Sequence, residues 1–129
     1  MLGTWKLNEN KSTFGDGAGK STTVVWKKAG DQEKCIVDGI DATGNKTHTV
    51  WIGKLDGKDY PVTGDSTSDT RSFKLSDDNT IHMVSKKDGK VVGKGTIVVA
   101  EDGKTRTVTN TMTNAKGVKV RSTLAYDKS

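Results

Sequence analysis

Thr105-Arg106-Thr107-Val108-Thr109-Asn110-Thr111-Met112-Thr113 decides the fold class. Threonine stands at every second position, with Arg106, Val108, Asn110 and Met112 between. A period of two puts the two sets on opposite faces of a β-strand. Threonine suits a pleated face that meets water, because its β-branched side chain is stiff and carries a hydroxyl. After the turn Asn114-Ala115-Lys116-Gly117 the alternation resumes. Val118, Val120, Ser122, Leu124 and Tyr126 share one face, and Lys119, Arg121, Thr123 and Asp127 the other. The pair reads as an antiparallel hairpin with one face to a core and one to solvent.

The same punctuation runs along the rest of the chain. Ala29-Gly30-Asp31, Thr43-Gly44-Asn45, Asp56-Gly57, Asp77-Asp78-Asn79, Asp88-Gly89 and Asp102-Gly103 each suit a tight reversal. Asn, Asp and Gly tolerate the positive φ that hairpin turns require. Between these turns the sequence predicts strands over 3–8, 21–29, 33–41, 46–54, 58–63, 69–76, 80–87, 90–100, 104–113 and 117–127. A repeat of roughly ten residues per strand and turn is the signature of a meander that closes. On the sixth strand Arg71, Phe73 and Leu75 share a face; on the seventh, Ile81 and Met83 oppose His82 and Val84. Residues 9–20 are glycine-rich and read as a loop with one helical turn at its start. The expected fold is all-β, an antiparallel up-and-down β-barrel of about eight to ten strands with little or no helix, and residues 1–129 form a single domain.

Composition agrees. Eighteen Thr and fifteen Gly among 129 residues favour hairpins, and a 31% hydrophobic content is thin for a helical bundle. The net charge of +5 invites a polyanion, but only three residues are Arg and no four basic residues are consecutive. Alternating Lys and Asp on turns and outer faces serve chiefly to keep strand edges soluble. Cys35 stands alone, so no internal disulfide forms and the redox compartment is not set. No apolar run approaches a membrane span. Met1 leads directly into Leu2-Gly3-Thr4-Trp5, with no signal peptide. Localisation stays open between a cytoplasmic protein and an exported bacterial one whose leader has been trimmed.

Gly3-Thr4-Trp5-Lys6-Leu7 resembles the first-strand motif of the calycins, the lipocalin and fatty-acid-binding-protein barrels. Ile81-His82-Met83 followed by Asp88-Gly89-Lys90 looks like a hairpin of the fatty-acid-binding branch, and Tyr126-Asp127-Lys128 like the end of its last strand. Lys11-Ser12 and Asp56-Gly57-Lys58-Asp59-Tyr60-Pro61-Val62-Thr63-Gly64 are similar to small uncharacterised bacterial lipocalin-like proteins. The resemblance implies a container, with Trp5 as the plug of its base. It also marks departures. Residues 9–20 are too short for the helical lid of fatty-acid-binding proteins. Leu124 stands where their carboxylate-clamping Arg-x-Tyr would place arginine, and Lys94 falls near the second clamp arginine.

The candidate sites follow from these faces. Trp26, Trp51, Phe73, Met83 and Met112 are the expected apolar wall of a ligand site, with Arg71, Arg106 and Asn110 as its polar contacts. Asp38 shares a face with Lys34, Ile36 and Ile40; if the isoleucines face inward, it is a carboxylate inside the barrel, where an acid with Arg71 or Arg106 would form an anion or proton-transfer site, and otherwise these residues lie at the barrel rims. Asp65, Asp69, Asp77 and Asp78 read as turn-formers. Gly15-Asp16-Gly17-Ala18-Gly19-Lys20-Ser21-Thr22 misses phosphate-loop spacing, since Phe14 stands where its first glycine belongs, and a strand follows it. The leading function is binding of a small, partly apolar ligand inside the barrel, with no cofactor firmly implied. The alternative is a hydrolase, acting on nucleic acid or another phosphodiester. There His48 and His82 would serve as base or metal ligands, Asp38 as metal ligand or orienter, and Arg71 or Arg106 as charge stabiliser. A divalent metal and a nucleic-acid partner belong to that alternative alone. Enzyme activity and oligomeric state stay open.

Overall fold

The computed structural model describes residues 2–15, 18–65, 67–113 and 116–129. Ten strands follow one another in chain order: β1 (Gly3–Leu7), β2 (Lys20–Ala29), β3 (Gln32–Ile40), β4 (Lys46–Gly53), β5 (Tyr60–Thr63), β6 (Thr70–Asp77), β7 (Thr80–Lys87), β8 (Lys90–Val99), β9 (Thr105–Thr113) and β10 (Lys119–Lys128). Each pairs antiparallel with its chain neighbour, and β1 pairs with β10, so the sheet closes into a barrel. Closure removes the free edges that an open meander would expose. The expected antiparallel meander, closed into a barrel, is therefore the fold, and strand bounds agree with the sequence reading to within two residues.

Residues 9–20 contain the single helical turn expected at their start, a 3-10 turn at Glu9–Lys11. The connection then runs back along β10. Asn8 donates its backbone N–H to the Ala125 carbonyl, and Thr13 bridges Thr123 through two backbone bonds of 2.8 Å. β10 is twice as long as β1, so this connection pairs β10 where β1 has ended. The phosphate-loop-like stretch leads into strand β2; its Asp16 and Gly17, like Asn114 and Ala115 of the last turn, lie outside the described residues.

Alternation on β9 and β10 is as the sequence predicts. Arg106, Val108, Asn110 and Met112 face inward, opposite Tyr126, Leu124, Ser122 and Val120 in register. Trp5, Val24, Trp26, Cys35, Trp51, Val62, Phe73, Ile81, Ile97, Leu124 and Tyr126 form the buried core. The expected plug, Trp5, is 1% exposed.

β3 departs from expectation. Cys35, Val37 and Gly39 face inward, and Asp38 points out, with its side chain 52% exposed. Cys35 is the cross-strand neighbour of both Trp26 and Trp51, and burying two indoles outweighs burying Ile36. Ile40 ends at the rim, exposed. The expected internal acid is therefore not Asp38.

Candidate functional site: two inner walls of different material

Inward residues of β2 to β5 make an aromatic wall. Trp26, Cys35, Trp51 and Val62 are successive register partners across four strands. Phe73 of β6 reaches this wall, with its ring 4.6 Å from Trp51 and 5.1 Å from Trp26, edge to face in both cases. That geometry sets the positive edge of one ring against the negative face of the next. Trp51 Nε1 donates to the Arg71 carbonyl at 2.8 Å, which ties the wall to β6.

The inner wall of β6 to β10 is made differently. One inward row runs Arg71, Ser85, Gly93, Met112. The next runs Phe73, Met83, Gly95, Asn110, Ser122. The two glycines leave the wall without side chains at its middle, and methionines lie over them. A Cβ at Gly93 would collide with Met112 Sδ, and one at Gly95 would sit 3.3 Å from Met83 Cε. Methionine is unbranched and flexible, so it fills such a trough without fixing its shape.

Around the trough, Arg71 Nε, Ser85 Oγ and Asn110 Oδ1 are buried with no hydrogen-bond partner among the described residues, and so is Trp26 Nε1 on the aromatic wall. Each such group costs about 1–3 kcal/mol when it is taken from water unpaired. Buried polar atoms are nearly always satisfied. Four of them face one interior.

Arg71 is only partly committed. Its Nη2 donates to Asp65 Oδ2 at 3.0 Å, with side chains 13% and 14% exposed. Asp65 also accepts from Ser68 Oγ and from the Thr67 amide and hydroxyl. Burial pushes the Asp65 carboxyl up, but the hydrogen bonds from Ser68 and Thr67 and the Arg71 charge outweigh it and hold the carboxyl below its ordinary range. An internal acid beside an arginine does exist, then, but it is Asp65. The sequence reading treats Asp65 as a turn-former, and it is one: its bonds to Thr67 and Ser68 build the β5–β6 loop. The signal available was the run Asp65-Ser66-Thr67-Ser68-Asp69 placed a few residues before an inward arginine.

At the Trp5 end of the barrel a buried arginine packs against aromatic rings. The Arg106 guanidinium lies 5.3 Å from the Trp5 ring centroid and 4.7 Å from that of Tyr126. Arg106 is 3% exposed, and burial works against its charge. Tyr126 donates its hydroxyl to the Ser21 carbonyl at 2.8 Å, and burial raises its pKa to about 12. Burial likewise pushes the Cys35 thiol up to about 12, against the opposing pull of Arg106 and Arg71.

Of the residues of the hydrolytic alternative the structure brings His48 and Asp38 together and leaves His82 apart from them. His48 and Asp38 meet on the outer surface, Nδ1 to Oδ1 at 2.5 Å, at the edge of an open depression of about 530 Å³. His82 faces outward on β7, its nearest polar partner being Thr96 at 3.4 Å. Arg71 and Arg106 are inside. Among the described residues no group of three or more His, Cys, Asp or Glu could hold a metal ion. By contrast Trp26, Trp51, Phe73, Met83, Met112, Arg71, Arg106 and Asn110 all lie on the inner face, as expected. A second depression, of about 770 Å³, opens at one end of the barrel between Leu2, Leu55, Leu75, Ile81 and Val99. Among the described residues no helix is long and apolar enough to cross a membrane.

No family model and no curated protein matches this chain. Among solved structures it is similar to a redesigned β-barrel, mFAP1, bound to DFHBI, with a TM-score of 0.54, 14% identity, and coverage of 98% of this chain and 94% of that one. The likeness spans nearly the whole of both chains and supports the closed antiparallel β-barrel architecture.

Proposed function

We propose that this protein binds a small, partly apolar molecule inside the barrel, between the aromatic wall and the glycine trough of β8. One observation carries the reading: Arg71 Nε, Ser85 Oγ, Asn110 Oδ1 and Trp26 Nε1 are buried and face the interior without protein partners. Trp26, Trp51 and Phe73 supply a rigid apolar side. Met83 and Met112 supply a yielding one, so the pocket forms as they withdraw from Gly95 and Gly93. The similarity to a barrel solved with a small molecule bound is consistent with such a use of the architecture. The resemblance to bacterial lipocalin-like proteins belongs to the same reading.

Native mass spectrometry of the purified protein beside its denatured mass tests this, together with titration of a neutral environment-sensitive dye. Retained organic mass, or saturable dye binding that Gly95→Val abolishes in a folded barrel, is the expected result. A bare native mass with no dye binding, or dye binding indifferent to Gly95→Val, would overturn it.

A further inference from the structure

We infer that the barrel selects an uncharged ligand, one with a carbonyl, hydroxyl or amide group, and that Asp65 enforces this by holding the Arg71 charge. The inference rests on the ligand-binding reading above and deepens it.

Two guanidinium groups face the interior, and a barrel with an internal arginine would ordinarily be expected to clamp a carboxylate. Here both are engaged. Arg106 lies against Trp5 and Tyr126, 3% exposed. Arg71 spends its charge on Asp65, at 3.0 Å. An entering anion would have to displace Asp65, which also accepts from Ser68 Oγ, Thr67 N and Thr67 Oγ1. Failing that, it would stand beside a second negative charge in a poorly solvated space, where like charges repel strongly. With its charge paired, Arg71 still offers N–H donors, the buried Nε among them. The remaining unpartnered atoms, Ser85 Oγ, Asn110 Oδ1 and Trp26 Nε1, are uncharged. One-sided donation and acceptance of this kind recognises neutral polar groups on an apolar body.

The test uses a matched pair of probes: a dansyl-labelled undecanoic acid and its methyl ester, titrated at neutral pH and near-physiological salt into the folded wild type and into Asp65→Asn. Asparagine keeps the shape and can still accept from Ser68 and Thr67 while losing the charge. The expected result is saturable ester binding in the wild type, with the acid weaker by about tenfold or more. Asp65→Asn is expected to shift the acid-to-ester affinity ratio toward the acid by a similar factor. Acid and ester of equal affinity in the wild type would overturn the inference while leaving the ligand-binding reading intact. So would an unchanged ratio in a folded Asp65→Asn. Failure of both probes to bind the wild type would remove both. The wild-type ratio needs no variant, so a poorly folding Asp65→Asn leaves that arm decisive.

Discussion

The wall of β2 to β5 is packed with indole rings and leaves one polar atom, Trp26 Nε1, unpartnered, whereas the wall of β6 to β10 has glycine at its middle, methionine over it and three unpartnered polar atoms, Arg71 Nε, Ser85 Oγ and Asn110 Oδ1. Both descend from the same alternation of inward and outward residues. They differ in what fills the inward positions: Trp26, Cys35, Trp51 and Val62 against Ser85, Gly93, Gly95 and Asn110. Close packing on one side stabilises a closed barrel by burying large apolar area. On the other side flexible methionines fill the glycine trough, and under the proposed function that is where a ligand enters. The lesson is that stability and binding need not compete within one small barrel if they are assigned to different walls.

The comparison can be broken at several points, and the largest expected effect is chemical. Cys35 sits on the aromatic wall with its thiol raised to about 12. At about pH 8 its thiolate, and so its labelling by a disulfide reagent, is expected to be suppressed about a thousandfold relative to unfolded chain. Fast labelling of the native protein would show that this wall opens. Next, Trp51→Ala removes a 1%-exposed indole and its bond to the Arg71 carbonyl. A loss of about 3–5 kcal/mol is expected from urea denaturation. A loss below about 1 kcal/mol would mean that the wall is not the core.

Asp65→Asn comes third. The Asp65 carboxyl lies below its ordinary range in the folded state, so its contribution is fully present above the unfolded value of about 3.9 and is lost as pH falls through the folded value. Neutral-pH stability is expected to drop by about 1–3 kcal/mol, and the acid limb of the stability profile to flatten below about pH 4. Urea midpoints across that range check both. The smallest effects separate the walls most directly. A Cβ at Gly53 would lie 2.5 Å from the Tyr60 ring and 2.7 Å from that of Trp51, whereas one at Gly95 meets nothing closer than 3.3 Å. Gly53→Ala is expected to cost about 1–3 kcal/mol, and Gly95→Ala to stay within about 1 kcal/mol of wild type in either direction. Equal costs in thermal melts would erase the distinction.

How much of this was legible in the sequence depended on whether apolar residues kept to one parity. On β9 they did: five threonines took the outside, and every inward residue was read correctly. On β3 they did not. Ile36 and Ile40 lie on one parity, Cys35 and Val37 on the other, because the outer face here also carries an apolar row, Val25, Ile36 and Val50. A period-two signal then has no preferred phase, and only the partners on β2 and β4 choose it. The condition that would bring Asp38 inside, inward isoleucines, fails for that reason. Asp65 was missed for another: turn-forming and charge-pairing use the same carboxylate, and sequence displays only the first. The trough at Gly93 and Gly95 was hidden because an inward glycine looks in sequence like any other break in a strand.

The seam between β1 and β10 has a consequence of its own. Only three residue pairs join these strands, Trp5 with Lys128, Lys6 with Asp127 and Leu7 with Tyr126, and Ser129 adds one bond to Thr4. Nine of the ten strand pairings link chain neighbours, and this one spans nearly the full sequence. Local hairpins can zip at little entropic cost, but the seam must wait for two distant segments to meet. Until it does, β1 and β10 each present an unsatisfied strand edge to any other copy nearby. The short stitch that finishes the barrel is thus also its point of greatest exposure to mispairing during folding, and the bonds from Asn8 and Thr13 to β10, which bridge equally distant segments, must wait with it.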